Sequence, residues 1–86
     1  MYYVYILQSI KDGNIYTGYT SNIKLRYLEH KNGLVKSTVN RRPLKLVYFE
    51  CYINERDARR RESYLKAGGK AKNDLKWQLR DSLLGP

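Results

Sequence analysis

Tyr2-Tyr3-Val4-Tyr5-Ile6-Leu7-Gln8, then Lys11-Asp12-Gly13-Asn14, then Ile15-Tyr16-Thr17-Gly18-Tyr19-Thr20: two aromatic and β-branched runs stand either side of a polar, glycine-containing break. Such runs fit the pleated, half-buried surface of a strand. Asp-Gly is the strong signal for a tight hairpin turn. Taken as a two-residue turn, Asp12-Gly13 sets Tyr5 opposite Thr20 and Leu7 opposite Gly18. Alternation then puts Tyr5, Tyr16 and Gly18 on one face. A glycine inside a strand marks a close approach by a ligand or another backbone, and here it is expected to leave a gap beside Leu7. The alternative is that both tyrosines are plain core aromatics under a helix.

Working outward, Ser21 or Asn22 caps a helix through about Asn32, and Gly33 suits the left-handed position that closes it. Arg26 and His30, four apart, share a helical face with Ile23 and Tyr27. Leu25 and Leu28 lie on the other side. Residues 34–43 read as a basic loop ending at Pro43, and residues 44–52 as a third strand. Cys51 within it is expected to be a small core hydrophobe. Asn54 caps a second helix, with Asp57 spaced as a capping-box partner. That helix ends near Gly68-Gly69, and Asn73 or Asp74 starts a last one carrying Leu75, Leu79 and Leu83 on one stripe. The order β-β-α-β-α-α, with an antiparallel first pair, makes the class α+β.

The chain has 86 residues, 42% hydrophobic and 29% charged, which suits one domain with a modest core rather than a disordered segment. Lys and Arg outnumber Asp and Glu 17 to 8, a net charge of +9. That imbalance points to a polyanion, nucleic acid before an acidic membrane surface. One cysteine cannot form a disulfide within the chain, so a reducing, cytoplasmic setting fits. The start resembles no signal peptide, and no segment is long enough to cross a bilayer. One His and one Cys are too few for a zinc site.

Ala58, Glu62 and Leu65 follow helical spacing, so Glu62 interrupts an apolar seam. A carboxylate there wants a cation, either a metal or one of Arg56, Arg59, Arg60 and Arg61. Together with Arg26 and the tyrosines or His30, this is what phosphodiester cleavage requires. A carboxylate can hold a hard divalent ion, an arginine can stabilise phosphoryl charge, and a phenol or imidazole can take a proton from water. One prominent carboxylate favours a one-metal site. Phosphate contacts are expected from Lys36, Arg41 and Arg42 in the loop and from Arg59, Arg60 and Lys66 on the second helix.

These residues resemble the GIY-YIG endonucleases. Val4-Tyr5-Ile6 and Tyr16-Thr17-Gly18 resemble the paired motifs, and Asn22 to Arg26 with His30 and Gly33 resembles the first helix. Ala58 to Glu62 with Lys66 resembles the glutamate helix. The first triplet is Tyr3-Val4-Tyr5 and the second Tyr16-Thr17-Gly18, so both tyrosines and the second glycine are kept. The resemblance spans roughly residues 2–75 and is closest to small bacterial members. It implies a three-stranded antiparallel sheet flanked by helices. It implies Tyr16 as general base or water-orienting group and Tyr5 in support. Arg26 would stabilise the transition state, and His30 would contact the phosphate or assist proton transfer. Glu62 would bind Mg²⁺ or Mn²⁺, and DNA comes ahead of RNA as substrate. Asn73 is a loose match to a late asparagine, equally explained as a helix cap. A basic binding module that cuts poorly or not at all is the other class of function, and Glu62, which repels phosphate, argues against it.

Overall fold

The computed structural model describes residues 1–83. Strands β1 (Tyr2–Ser9), β2 (Ile15–Thr20) and β3 (Leu44–Tyr52) form an antiparallel sheet in the order β2-β1-β3. Helices α1 (Ile23–Lys31), α2 (Glu55–Lys66) and α3 (Gly69–Gln78) complete the α+β fold anticipated from the sequence. The central strand is buried from residue 4 to residue 9. Alternation sends Val4 and Ile6 to one face, where Ala58, Leu65 and Leu75 of α2 and α3 cover them. It sends Tyr5 and Leu7 to the other, where they cluster with Leu44 under Ile23 and Tyr27 of α1. Each Val, Leu or Ile side chain buried this way contributes about 1.5–3 kcal/mol.

The hairpin register differs from the tight-turn expectation. Tyr5 pairs with Gly18, Tyr3 with Thr20 and Leu7 with Tyr16. Ser9 N–H bonds Asn14 O at 2.9 Å, so the loop is residues 10–13 rather than Asp12-Gly13 alone. Ser9 explains the wider loop: its hydroxyl accepts from the N–H of Lys11 and of Asp12. The Asp12 carboxylate accepts from Asn14 N–H, and Gly13 takes φ +76°. The shift is two residues, so Tyr5, Tyr16 and Gly18 still share a face.

Pairing of β1 with β3 slips between Ile6 and Leu7, leaving Val47 as an extra residue between Leu46 and Tyr48. Val47 and Tyr48 both pack on the α2 side, and Phe49 falls opposite Tyr5. Cys51 is exposed rather than a core residue. It lies near the end of edge strand β3, past the Leu44 and Leu46 that pack in the α1-face core.

The third helix starts at Gly69, not at Asn73 or Asp74. Gly68 and Gly69 both adopt positive φ, so the chain turns out of α2 and re-enters a helix at once. Asp74 pairs with Lys70 one turn earlier, and Asn73 is exposed mid-helix. The apolar stripe is Ala71, Leu75 and Leu79, and Leu83 lies beyond the helix end.

Candidate active site

Asn22 takes extended backbone, and its side chain accepts the Leu25 N–H at 3.1 Å, which fixes the start of α1 at Ile23. That phase turns Ile23, Tyr27 and His30 toward the sheet and leaves Leu25 and Leu28 exposed. The side of the helix left open by the sequence is therefore decided. His30, at 0% exposure, lies between the sheet and the 34–43 loop. Its Nε2 is 2.8 Å from Tyr5 Oη and its Nδ1 is 2.7 Å from Thr38 Oγ1.

Arg26 pairs with Glu29 at 3.2 Å, and its guanidinium lies beside the Tyr5 hydroxyl. Tyr5, His30 and Thr38 form one buried hydrogen-bond chain, Oη to Nε2 and Nδ1 to Oγ1. Burial pushes the Tyr5 phenol up to about 12; neighbouring Arg26 opposes this, and Tyr16 and Glu62 add to it. Burial, followed by the Arg26 charge, pushes His30 down to about 4 against a pull from Glu29. At neutral pH Tyr5 is protonated and His30 is uncharged.

Gly18 makes this packing possible. A Cβ there would overlap Cζ and the hydroxyl of Tyr5, so the space kept open by the glycine is filled by the Tyr5 ring rather than left beside Leu7. Tyr16 packs edge-on to His30 with centroids 5.4 Å apart, and its hydroxyl accepts from Ser37 Oγ at 3.4 Å. Tyr16 and Arg26 are both half-buried, so each keeps part of its surface open to solvent. Glu62 comes from α2. Its side chain is only 16% exposed, it pairs with Lys66 at 3.0 Å, and its charge is felt at Tyr5.

His30 is fully buried beside Tyr5 and Tyr16, and its hydrogen bonds run to the Tyr5 and Thr38 hydroxyls. Thr38 and Ser37, read from the sequence only as part of a basic loop, turn out to close the hydrogen-bond chain and touch Tyr16. A signal for Thr38 existed: Val35, Thr38 and Val39 follow helical spacing, and Val35 and Thr38 are buried.

A family model described as the GIY-YIG catalytic domain matches residues 1–76. The chain belongs to the GIY-YIG family. It is 51% identical over 67 residues to a UPF0213 protein of Clostridium perfringens, covering 77% of this chain and 71% of that one. A UPF0213 protein of Staphylococcus saprophyticus is 40% identical over 72 residues, covering 83% and 87%. The solution NMR structure of a UPF0213 protein from Bacillus halodurans superposes with a TM-score of 0.56 at 36% identity, covering 92% of this chain and 85% of that one.

In this GIY-YIG chain the basic residues expected to meet phosphate are differently disposed. Lys36 is exposed on the loop. Arg41 Nη2 donates to Ile15 O, and Arg42 Nε donates to Val39 O with its guanidinium against Gly33. Arg59 pairs with Glu55 and stacks on Tyr19 at 4.2 Å, Arg60 pairs with Asp57, and Lys66 pairs with Glu62. Asp57 thus meets Arg60 rather than completing a capping box, and Asn54 alone caps α2 through Arg56 N–H. No helix among the described residues is long and apolar enough to cross a membrane.

Proposed function

We propose that this chain is a metal-dependent endonuclease that hydrolyses phosphodiester bonds in nucleic acid, DNA ahead of RNA, with low sequence specificity. The observation that carries the reading is the joining of Tyr5, Tyr16, Arg26 and His30 in one cluster on the α1 face, within range of the Glu62 charge. Among the described residues no group of three or more His, Cys, Asp or Glu could cage a metal. The donor chemistry still fits Mg²⁺ or Mn²⁺, which keep several waters and take one or two carboxylates plus substrate phosphate. Glu62 would hold the ion, which when bound polarises the phosphate as a Lewis acid.

The chain's own residues do the rest. Arg26 donates to a phosphoryl oxygen and stabilises charge as water adds to phosphorus and the ester oxygen leaves. The Tyr16 hydroxyl orients that water or, as the phenolate, takes its proton, and the departing ester oxygen takes up a proton from solvent. Glu29, paired with Arg26 at 3.2 Å, and the neighbouring Tyr5, fixed by His30 and Thr38, hold the Arg26 guanidinium in place. The +9 charge draws phosphate backbone regardless of sequence. A free, exposed Cys51 suits a reducing cytoplasm.

The Glu62–Lys66 ion pair supports a second reading, a basic nucleic-acid binder that does not cut, because it gives Glu62 a cation of its own. Incubation with single-stranded, duplex and branched DNA, with and without Mg²⁺ or Mn²⁺, separates the two. The nuclease reading expects fragments only with metal. Binding that falls steeply with salt, with no fragments under any condition, would favour the binder.

A further inference from the structure

Ile23 and Tyr27 of α1 pack with Tyr5, Leu7, Leu44 and Leu46, but Phe49, farther along β3, is 49% exposed. Phe49 meets Tyr3 edge to face, with centroids 5.9 Å apart and planes at 63°. The β3 bulge makes Phe49 the direct cross-strand partner of Tyr5, and Tyr3 lies two residues along the same face of β1. Gly18, Tyr5 and Phe49 therefore form one row across the sheet.

An exposed aromatic on an edge strand invites unwanted association, and such edges normally carry charge. This one adjoins the tyrosine that Arg26 contacts, on a chain of net charge +9. The fitting occupant is a polyanion that also carries flat π faces. Phe49 lies one strand spacing, about 5 Å, from Tyr5, so a nucleic-acid strand whose phosphate lies at Arg26 would carry its neighbouring base toward Phe49. A base inside a duplex is already stacked; an unpaired one has a free face for an aromatic ring.

We propose that Tyr3 and Phe49 form a stacking platform for an unpaired base next to the phosphate at Arg26, so that the favoured substrate has single-stranded character beside the cut. This rests on the nuclease reading of the adjacent site.

The test is binding by the full chain with metal chelated. The probes are a single-stranded DNA oligonucleotide carrying 2-aminopurine and the matching blunt duplex. Phe49→Ala is expected to weaken single-strand affinity about tenfold or more, the usual scale for one stacked base, and to leave duplex affinity unchanged. Phe49→Trp should retain wild-type affinity. Phe49→Leu, which keeps apolar bulk without a π face, should behave like the alanine variant at a matched unfolding midpoint. Fluorescence quenching should accompany wild-type binding and disappear with Phe49→Ala. Unchanged single-strand affinity, or equal losses on strand and duplex, would overturn the platform. Failure of the wild type to bind either probe would instead overturn the nuclease reading beneath it.

Discussion

On the α2 face of the sheet, Glu50 accepts hydrogen bonds from the hydroxyls of Tyr48 and Tyr52 and pairs with Arg61 at 2.8 Å. On the α1 face, Tyr5 is held by His30 and Arg26 pairs with Glu29 at 3.2 Å, while Glu62, carried by α2, pairs with Lys66. Both faces are built from tyrosine, arginine and glutamate. On the first, every strong group is turned onto its neighbours. Burial raises the Glu50 carboxyl, but the two phenols and the guanidinium outweigh it and hold Glu50 below the usual carboxylate range. Burial, with the Glu50 bond and charge, raises Tyr48 and Tyr52 to about 12. On the second, the buried bonds join Tyr5, His30 and Thr38, while Arg26 and Tyr16, bonded to Glu29 and Ser37, are only half-buried and keep surface for something outside the chain. A site differs from a structural network in where its polar capacity points, not in its residue types.

The sharpest break between the faces compares two arginine substitutions. Arg26→Ala is expected to cut the cleavage rate by about 10²–10³, the scale for losing one donor to developing charge. Arg61→Ala should leave that rate intact and lower stability by about 2 kcal/mol. This is less than the loss of a fully buried partner because Arg61 is partly exposed. Rates after single-turnover cleavage and midpoints from thermal melts would show the crossover. Equal effects of both variants on both readouts would erase the distinction.

Tyr16→Phe should slow cleavage by about a hundredfold if its hydroxyl handles the proton. Its half-buried ring packs on His30, so the comparison is made at equal folded fraction. A rate within twofold of wild type would move the proton-handling role elsewhere.

A smaller effect concerns acid. His30 is pushed down to about 4 in the fold, from about 6.5 when unfolded. The unfolded chain therefore binds more protons between those values, and stability falls as pH drops from 6.5 toward 4. The full loss is about 3 kcal/mol, and down to pH 4.5 it precedes ordinary carboxylate titration. Urea midpoints at pH 7 and pH 5 should differ in the wild type, and the difference should shrink in His30→Gln. An unchanged difference would show that another group carries it.

Much of the site was legible in the sequence because it rests on local periodicity. A two-residue repeat put Tyr5, Tyr16 and Gly18 on one face, and the cap at Asn22 phased Arg26 and His30 onto one helix. A hairpin slip by an even number of residues preserved that face, so the wrong register did no harm there. What escaped depended on contacts between distant segments. Thr38 meets His30 only because the loop folds back on α1, and Cys51 lies beyond the α1-face cluster. The arginines of α2 read as a basic surface until Glu50, Glu55 and Asp57 were seen to take three of them. Asn73 resembled a cap because asparagine favours caps, but paired glycines had already restarted the helix.

The most direct test sets Glu62→Gln beside Glu50→Gln, with Mg²⁺ present and both variants assayed below their unfolding midpoints. Glu62→Gln should abolish cleavage while binding stays equal or tightens, because the charge that would hold the cation is lost and repulsion of phosphate is relieved. Glu50→Gln should melt earlier and cut at the wild-type rate. If Glu62→Gln instead unfolds the protein, and the wild type shows no metal-dependent cutting, Glu62 is a structural partner of Lys66 and the α1 face binds nucleic acid without cleaving it.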